Sequence, residues 1–214
     1  MRFKKYLFIS LSLILLGCAG IKPTPVSPPE IKKHITPVSL RAEAKVELRG
    51  LLTLSGRAAI TAKNPDQFRI EVTGPFNQMI ALFVSDGKTL YSYSGDEVRI
   101  HDWDDPLLPY SFKSREIVSC LLGAGETTEN AQSPEDILIS RDGQGRLKSL
   151  SRAADGKKAF RVELSDYRDV GGAEIPFNID IEDGKKRLVI KYSSVVIDTD
   201  LDPDSFNIGL LTER

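Results

Sequence analysis

From Leu40 to Thr73 apolar and polar residues alternate with a period of two. The apolar members are Leu40, Ala42, Ala44, Val46 and Leu48, then Leu52, Leu54, Gly56, Ala58 and Ile60, then Phe68, Ile70 and Val72, with Arg69, Glu71 and Thr73 opposite. Successive side chains of a strand point to opposite faces, so this period restricts the chain to β-sheet with one buried face. The pattern returns at Phe160-Val162-Leu164, at Ile175, Phe177, Ile179 and Ile181, and at Leu188-Ile190-Tyr192. Between such runs stand Asp86-Gly87, Asp142-Gly143, Asp155-Gly156 and Asp183-Gly184, dipeptides that accept the positive φ of tight hairpin turns. The expected fold is an antiparallel sheet of consecutive hairpins. Parity separates its two faces without saying which is concave, and a slip of one residue exchanges them.

One segment breaks the alternation. Ser111 to Gly123 carries Ile117, Val118, Cys120, Leu121 and Leu122, with Gly123 and Gly125 as a stop, and reads as a helix. Its apolar arc is wider than that of a helix lying on a sheet surface, which suits a plug in a concave apolar space or its mouth. The alternative is a helix that completes a closed core, with Cys120 one more small buried hydrophobe.

The N-terminus points to an envelope anchor. Arg2, Lys4 and Lys5 precede an apolar run from Tyr6 to Leu16, which is shorter than the roughly 20 residues a membrane helix needs. The run ends in Leu15-Leu16-Gly17-Cys18, the pattern of a bacterial lipoprotein cleavage site. Residues 1–17 are therefore read as a signal peptide and Cys18 as the lipidated mature N-terminus. Ala19 follows the anchor where Asp would retain an enteric-type lipoprotein in the inner membrane, so the expected location is the outer membrane, facing the periplasm. Residues 18–38 include Pro23, Pro25, Pro28, Pro29 and Pro37 and read as a tether. At about 3.1 Å per residue in polyproline II geometry it reaches roughly 50 Å. Residues 39–214 form the single expected domain.

Charge and residue type exclude much. The formal net charge of −1 grows more negative once Arg2, Lys4 and Lys5 are removed, which argues against nucleic acid and against electrostatic adhesion to anionic lipid. With Cys18 spent on the anchor, Cys120 has no partner for an intrachain disulfide. The two histidines, His34 in the tether and His101 beside Asp102, stand without a Gly-x-Ser-x-Gly elbow, and no His/Cys cluster has metal-ligand spacing. Asp198 to Asp204 has oxygens spaced like the start of a calcium loop, but Pro203 stands where Gly is needed and Gly209 where the bidentate Glu belongs, so a solvated C-terminal turn is expected. No catalytic residue, cofactor or metal is expected, and the chain reads as a non-enzyme.

The loop Thr73-Gly74-Pro75-Phe76-Asn77-Gln78 is unusual in holding a large aromatic within turn chemistry. Gly74-Pro75 forces a turn that pushes Phe76 toward solvent, which suggests contact with a bilayer or partner. The alternative is Phe76 folded back as a lid on the core.

Four stretches together resemble the LolB-like outer-membrane lipoproteins of the LolA/LolB superfamily. Asp66-Gln67-Phe68-Arg69-Ile70-Glu71-Val72-Thr73-Gly74-Pro75-Phe76 is similar to the family's strand and protruding loop, and Arg115-Glu116-Ile117-Val118 to Gly123 to its internal helix. Lys158-Ala159-Phe160-Arg161-Val162 to Tyr167, and Ile175-Pro176-Phe177-Asn178-Ile179 to Lys191, resemble its last hairpins. The resemblance implies a strongly curved antiparallel sheet, an unclosed half-barrel, with helices covering an apolar cavity. It implies that a LolA-like periplasmic carrier hands acylated lipoprotein cargo to a monomer, which inserts it into the outer membrane. It also makes Gly74, Pro75, Phe76 and Asn77 the membrane-insertion loop, with Phe76 in the place of the family's usual Leu. The ending Leu201-Asp202-Pro203-Asp204-Ser205-Phe206 is closer to other members of the superfamily. The expected acyl cavity is formed by Ile70, Val72, Phe83, Ile117, Leu121, Phe160, Val162 and Leu164, the apolar faces of strands and helix. Two other function classes remain open: a lipid-anchored interaction module of an envelope assembly complex without acyl cargo, and a periplasmic lipid hydrolase, which the missing motifs disfavour.

Overall fold

The computed structural model describes residues 35–49, 53–95, 97–103, 113–124, 137–154, 157–183 and 186–207. Cys18, the signal peptide and the tether up to residue 34 lie outside the described residues, as do Leu52, Gly156 and Gly184.

Period two becomes one antiparallel sheet of eleven strands. The first six are β1 (Ser39–Arg49), β2 (Leu54–Lys63), β3 (Gln67–Thr73), β4 (Met79–Ser85), β5 (Thr89–Ser94) and β6 (Glu97–Asp102). The helix α1 (Ser114–Leu122) follows, and then β7 (Ile137–Arg141), β8 (Leu147–Ala154), β9 (Lys157–Val170), β10 (Ala173–Asp183) and β11 (Lys186–Ile197). Spatial order runs β6-β5-β4-β3-β2-β1-β11-β10-β9-β8-β7, so every neighbouring pair but one is consecutive in sequence. The exception joins the two halves: β1 pairs with β11, from Leu40 opposite Ile197 to Arg49 opposite Arg187. The free edges are β6 and β7, which do not pair with each other. The sheet is thus an unclosed barrel, and among the described residues one α-helix accompanies it. That helix begins at Ser114, later than the periodicity alone places it.

One face of the sheet is the core face. Leu40, Ala42, Ala44 and Val46 of β1, Ala58, Ile60 and Ala62 of β2, and Phe160, Val162 and Leu164 of β9 are all buried there. The intervening Arg41, Glu43 and Lys45 are exposed, as a half-buried sheet requires.

β4 departs from this rule because both of its faces are covered. Phe83 faces inward, whereas Leu82 and Val84 are buried on the outer face against Leu201 and Phe206, which flank and end the short 3-10 turn η1 (Pro203–Phe206). The expected solvated C-terminal turn is therefore corrected. Asp202 and Asp204 are exposed, but Leu201 and Phe206 are 9% and 5% exposed, because an apolar outer face on β4 and β5 needs a cover. A second correction concerns Asp142-Gly143. The left-handed residue of that turn is Gly145 (φ 83), while Asp142 accepts from the backbone N–H groups of Gln144 and Arg146. Asp86-Gly87 behaves as expected, with Gly87 at φ 95.

Candidate functional site

The site begins with how α1 is held over the core face. Its first turn is capped by Glu116, whose Oε2 accepts from the Lys113 backbone N–H at 2.9 Å. Gly123 ends the helix in the left-handed region (φ 64), and Ala124 N–H donates to the Ser119 carbonyl at 2.9 Å, the bond of a Schellman cap. Ser114 donates to the Asp66 carbonyl and shares a hydrogen bond of 2.9 Å with Ser85, which also accepts from Trp103 Nε1 at 3.0 Å. At the other end Tyr192 Oη donates to the Leu121 carbonyl at 3.1 Å. The helix is pinned to β4 at one end and to β11 at the other, and it packs against β2, β3 and β10.

Between α1 and the sheet lies an apolar cavity of about 130 Å³. Ile117 and Leu121, one turn apart, face it from the helix, and Phe68, Phe83, Phe160 and Val162 are among the strand residues lining it. Its one charged wall residue among the described residues is Glu116. Glu116 Oε1 accepts from Arg152 Nη2 at 2.7 Å, and the Arg152 guanidinium lies 5.6 Å from the centre of the Phe160 ring. Burial raises the Glu116 pKa above the usual carboxylate range, and the Lys113 N–H and Arg152 oppose that shift. Cys120 also lines the cavity, and burial pushes its thiol up to about 12, so it acts as a hydrophobe there and not as a nucleophile.

The structure brings six of the eight expected cavity residues together: Ile70, Phe83, Ile117, Leu121, Phe160 and Val162. Val72 and Leu164 are corrected. Leu164 is buried in the filled core and Val72 is half-buried against it, so neither lines the cavity. Both lie on the right face, but period two identifies a face and not where packing along it stops. Sequence reasoning missed ten lining residues: Phe68, Ile179, Ile181, Leu188 and Ile190 sit on alternating faces it identified without assigning them to the cavity, Trp103, Leu90 and Leu150 lie in or beside strands read without alternation, and Glu116 and Cys120 share the helix with Ile117 and Leu121.

At the end of β3, Gly74 to Gln78 forms a three-residue hairpin loop. Gly74 N–H donates to the Gln78 carbonyl at 2.9 Å and Asn77 N–H to the Gly74 carbonyl at 3.1 Å. Asn77 takes the left-handed conformation (φ 59) such a loop requires, and the Phe76 N–H is satisfied by Gln78 Oε1 at 3.0 Å. Its approach depends on Gly56, where a Cβ would lie 2.5 Å from the Thr73 carbonyl oxygen. The turn holds Phe76 89% exposed, which excludes the core-lid alternative.

No protein-family profile and no curated protein matches the chain. Solved structures do match it in fold. A LolA superfamily protein from Nitrosomonas europaea superposes with a TM-score of 0.56 at 12% identity, covering 83% of this chain and 93% of that one. A DUF1329 family protein from Desulfovibrio piger gives 0.55 at 14% identity, over 82% and 92% of the two chains. The domain of an outer membrane lipoprotein-sorting protein from Vibrio parahaemolyticus, described as putative, gives 0.51 at 9% identity, over 81% and 91%. The chain has a LolA/LolB-like fold, an unclosed antiparallel barrel with a helix across its core face.

Proposed function

We propose that this protein is an envelope lipoprotein of LolB type, which takes the acyl chains of other lipoproteins into the cavity under α1 and inserts them into the outer membrane. The observation that carries this reading is the apolar cavity left between a capped, pinned helix and a sheet whose face is otherwise filled. Protein interiors are close-packed, so unfilled apolar space is conserved only at a cost in stability and suits a guest. An acyl chain gains about 0.8 kcal/mol per CH₂ on leaving water, so its passage through the periplasm needs a dry container at every step. Transfer proceeds without a catalytic group if each acceptor binds the chain more tightly than its donor, with the bilayer last. The fold neighbours named for lipoprotein sorting and for the LolA superfamily support the same reading.

At about 130 Å³ the cavity is close to the roughly 150 Å³ engineered cavity that takes up benzene, room for a short stretch of an acyl chain. Loading a whole chain requires α1 to move. Cys18 supplies the anchor, a LolA-like periplasmic carrier the cargo, and Phe76 the element that enters the outer membrane.

A reconstituted transfer assay tests this. The protein should take an acylated lipoprotein from its carrier and deposit it in liposomes. Phe76→Glu should accept but not deposit, because a carboxylate at the tip opposes penetration of the acyl layer, and Phe76→Leu should deposit normally. Failure of the unaltered protein to accept cargo, with no lipid retained in native mass spectrometry, would refute the carrier reading. Equal deposition by the Glu variant would remove Phe76 from the insertion step.

A further inference from the structure

The outer face of the sheet carries a row of cations that the net charge hides. Arg57 of β2 stands opposite Lys45 of β1, and Lys45 stands opposite Lys191 of β11. Directly opposed residues in antiparallel strands lie about 4.5–5.5 Å apart at Cα, and like charges there destabilise the sheet. All three side chains are exposed, and among the described residues none forms an ion pair. The same face treats its other charges differently. Four residues before Lys191, Arg187 of β11 binds Asp180 of β10 with Nε to Oδ1 at 2.9 Å, and Arg161 and Glu163 pair on β9.

The row lies in a groove of about 400 Å³ whose far wall is Gly74 and Pro75, the base of the Phe76 loop. Glu47 shares the groove, but its carboxylate is taken by Arg49 Nε at 2.7 Å. Phe76 begins one Cα step, about 3.8 Å, beyond Pro75, and its ring extends further. A ring placed beyond the groove in this way suits an interfacial anchor, whose apolar groups bury roughly 5–10 Å below the headgroups.

We infer that Arg57, Lys45 and Lys191 form a docking site for the phosphate of an anionic lipid headgroup, which holds the sheet at the membrane surface while Phe76 enters the acyl layer. The inference rests on the loop being the membrane-facing element. Charge complementarity explains why three like charges are kept in register, and continuity with the loop explains where.

Flotation of the mature chain, residues 18–214, carrying Cys18→Ala tests the site without the lipid anchor or the apolar signal peptide, using vesicles of phosphatidylcholine with and without phosphatidylglycerol. Binding to the phosphatidylglycerol vesicles should fall about fivefold for each cation replaced by Gln, and by up to roughly 100-fold for Lys45→Gln/Arg57→Gln/Lys191→Gln. It should also fall with rising ionic strength. Binding to phosphatidylcholine alone should change little, and the triple variant should melt no lower than its parent, since the repulsion it loses between opposed cations outweighs the weak attraction of Lys191 for the exposed Glu47. Unchanged binding of a folded triple variant to phosphatidylglycerol vesicles would overturn the inference. Calorimetric binding of inorganic phosphate that is lost in the triple variant, with vesicle binding intact, would mean an adventitious ion only and overturn it equally. Phe76→Glu should weaken binding to both vesicle types. If it weakens neither while the triple variant loses phosphatidylglycerol vesicles, the headgroup site stands and the insertion role of Phe76 fails.

Discussion

Phe68 and Phe76 lie on one strand and the turn that ends it, yet their surroundings are opposite. Phe68 is 2% exposed, with its ring tilted against Trp103 at 6.4 Å between centroids, and it lines the cavity. Phe76 is 89% exposed. Burial of a phenyl group contributes about 1.5–3 kcal/mol to folding, a gain that Phe68 has and Phe76 forgoes. The difference teaches that residue type alone does not assign an aromatic to the core. The backbone around it does, and here Gly74-Pro75 and a left-handed Asn77 turn the chain away from the core face.

The largest effect that probes this contrast is loss of the two rings in turn. Phe68→Ala should cost about 3–5 kcal/mol in denaturant unfolding, and Phe76→Ala no more than about 0.5 kcal/mol. Comparable costs would erase the contrast. Gly56→Ala should come next, at about 1–3 kcal/mol, because the added Cβ meets the Thr73 backbone at 2.5 Å and no flexible side chain can yield. Its amide exchange should quicken at residues 73–78 if the close approach is what steadies the turn. Ile117→Trp sharpens the comparison from the cavity side. The larger ring should fill the space under α1 and weaken binding of a hydrophobic dye about tenfold, equivalent to about 1.4 kcal/mol, while Phe76→Ala leaves dye binding unchanged. Dye binding that follows Phe76 instead would place the guest at the loop.

The smallest effect concerns pH. Burial raises the Glu116 pKa above its ordinary value of 4.5, so the folded state holds this proton more tightly than the unfolded chain does. That contribution to stability is complete below 4.5 and is lost as pH rises through the raised value. Glu116→Gln should therefore flatten the decline of the unfolding midpoint just above that pH. A midpoint profile identical to the parent's would show that Arg152 fully compensates the burial of Glu116.

Much of the site was legible because its determinants are local. Alternation along β3 and β9 put Ile70, Phe160 and Val162 on the cavity face, and helical spacing put Ile117 beside Leu121. Trp103 and Leu90 were not legible: Leu90 lies in β5, whose outer face, with Tyr91 and Tyr93, is also apolar and blurs the period, and Trp103 lies just past the end of β6. Leu201 was read as part of a solvated turn and Phe206 was given no place in the core, because nothing near them indicates the outer face of β4 that they bury.

The sequence by itself determined the alternating strands β1–β3 and β9–β11, the helix with its Gly123 stop and the turn under Phe76, because period two, Gly123 and Gly74-Pro75 act over a few residues. Only the tertiary structure decided which face is the core face and where it stays unfilled. It also decided that β11 returns to β1, a pairing between residues at opposite ends of the domain. That return brings Lys191 beside Lys45 and Arg57, a juxtaposition that no window of sequence contains. The physical reason is the same in each case: long-range register follows from burying every apolar face at once, and no single strand specifies that arrangement alone.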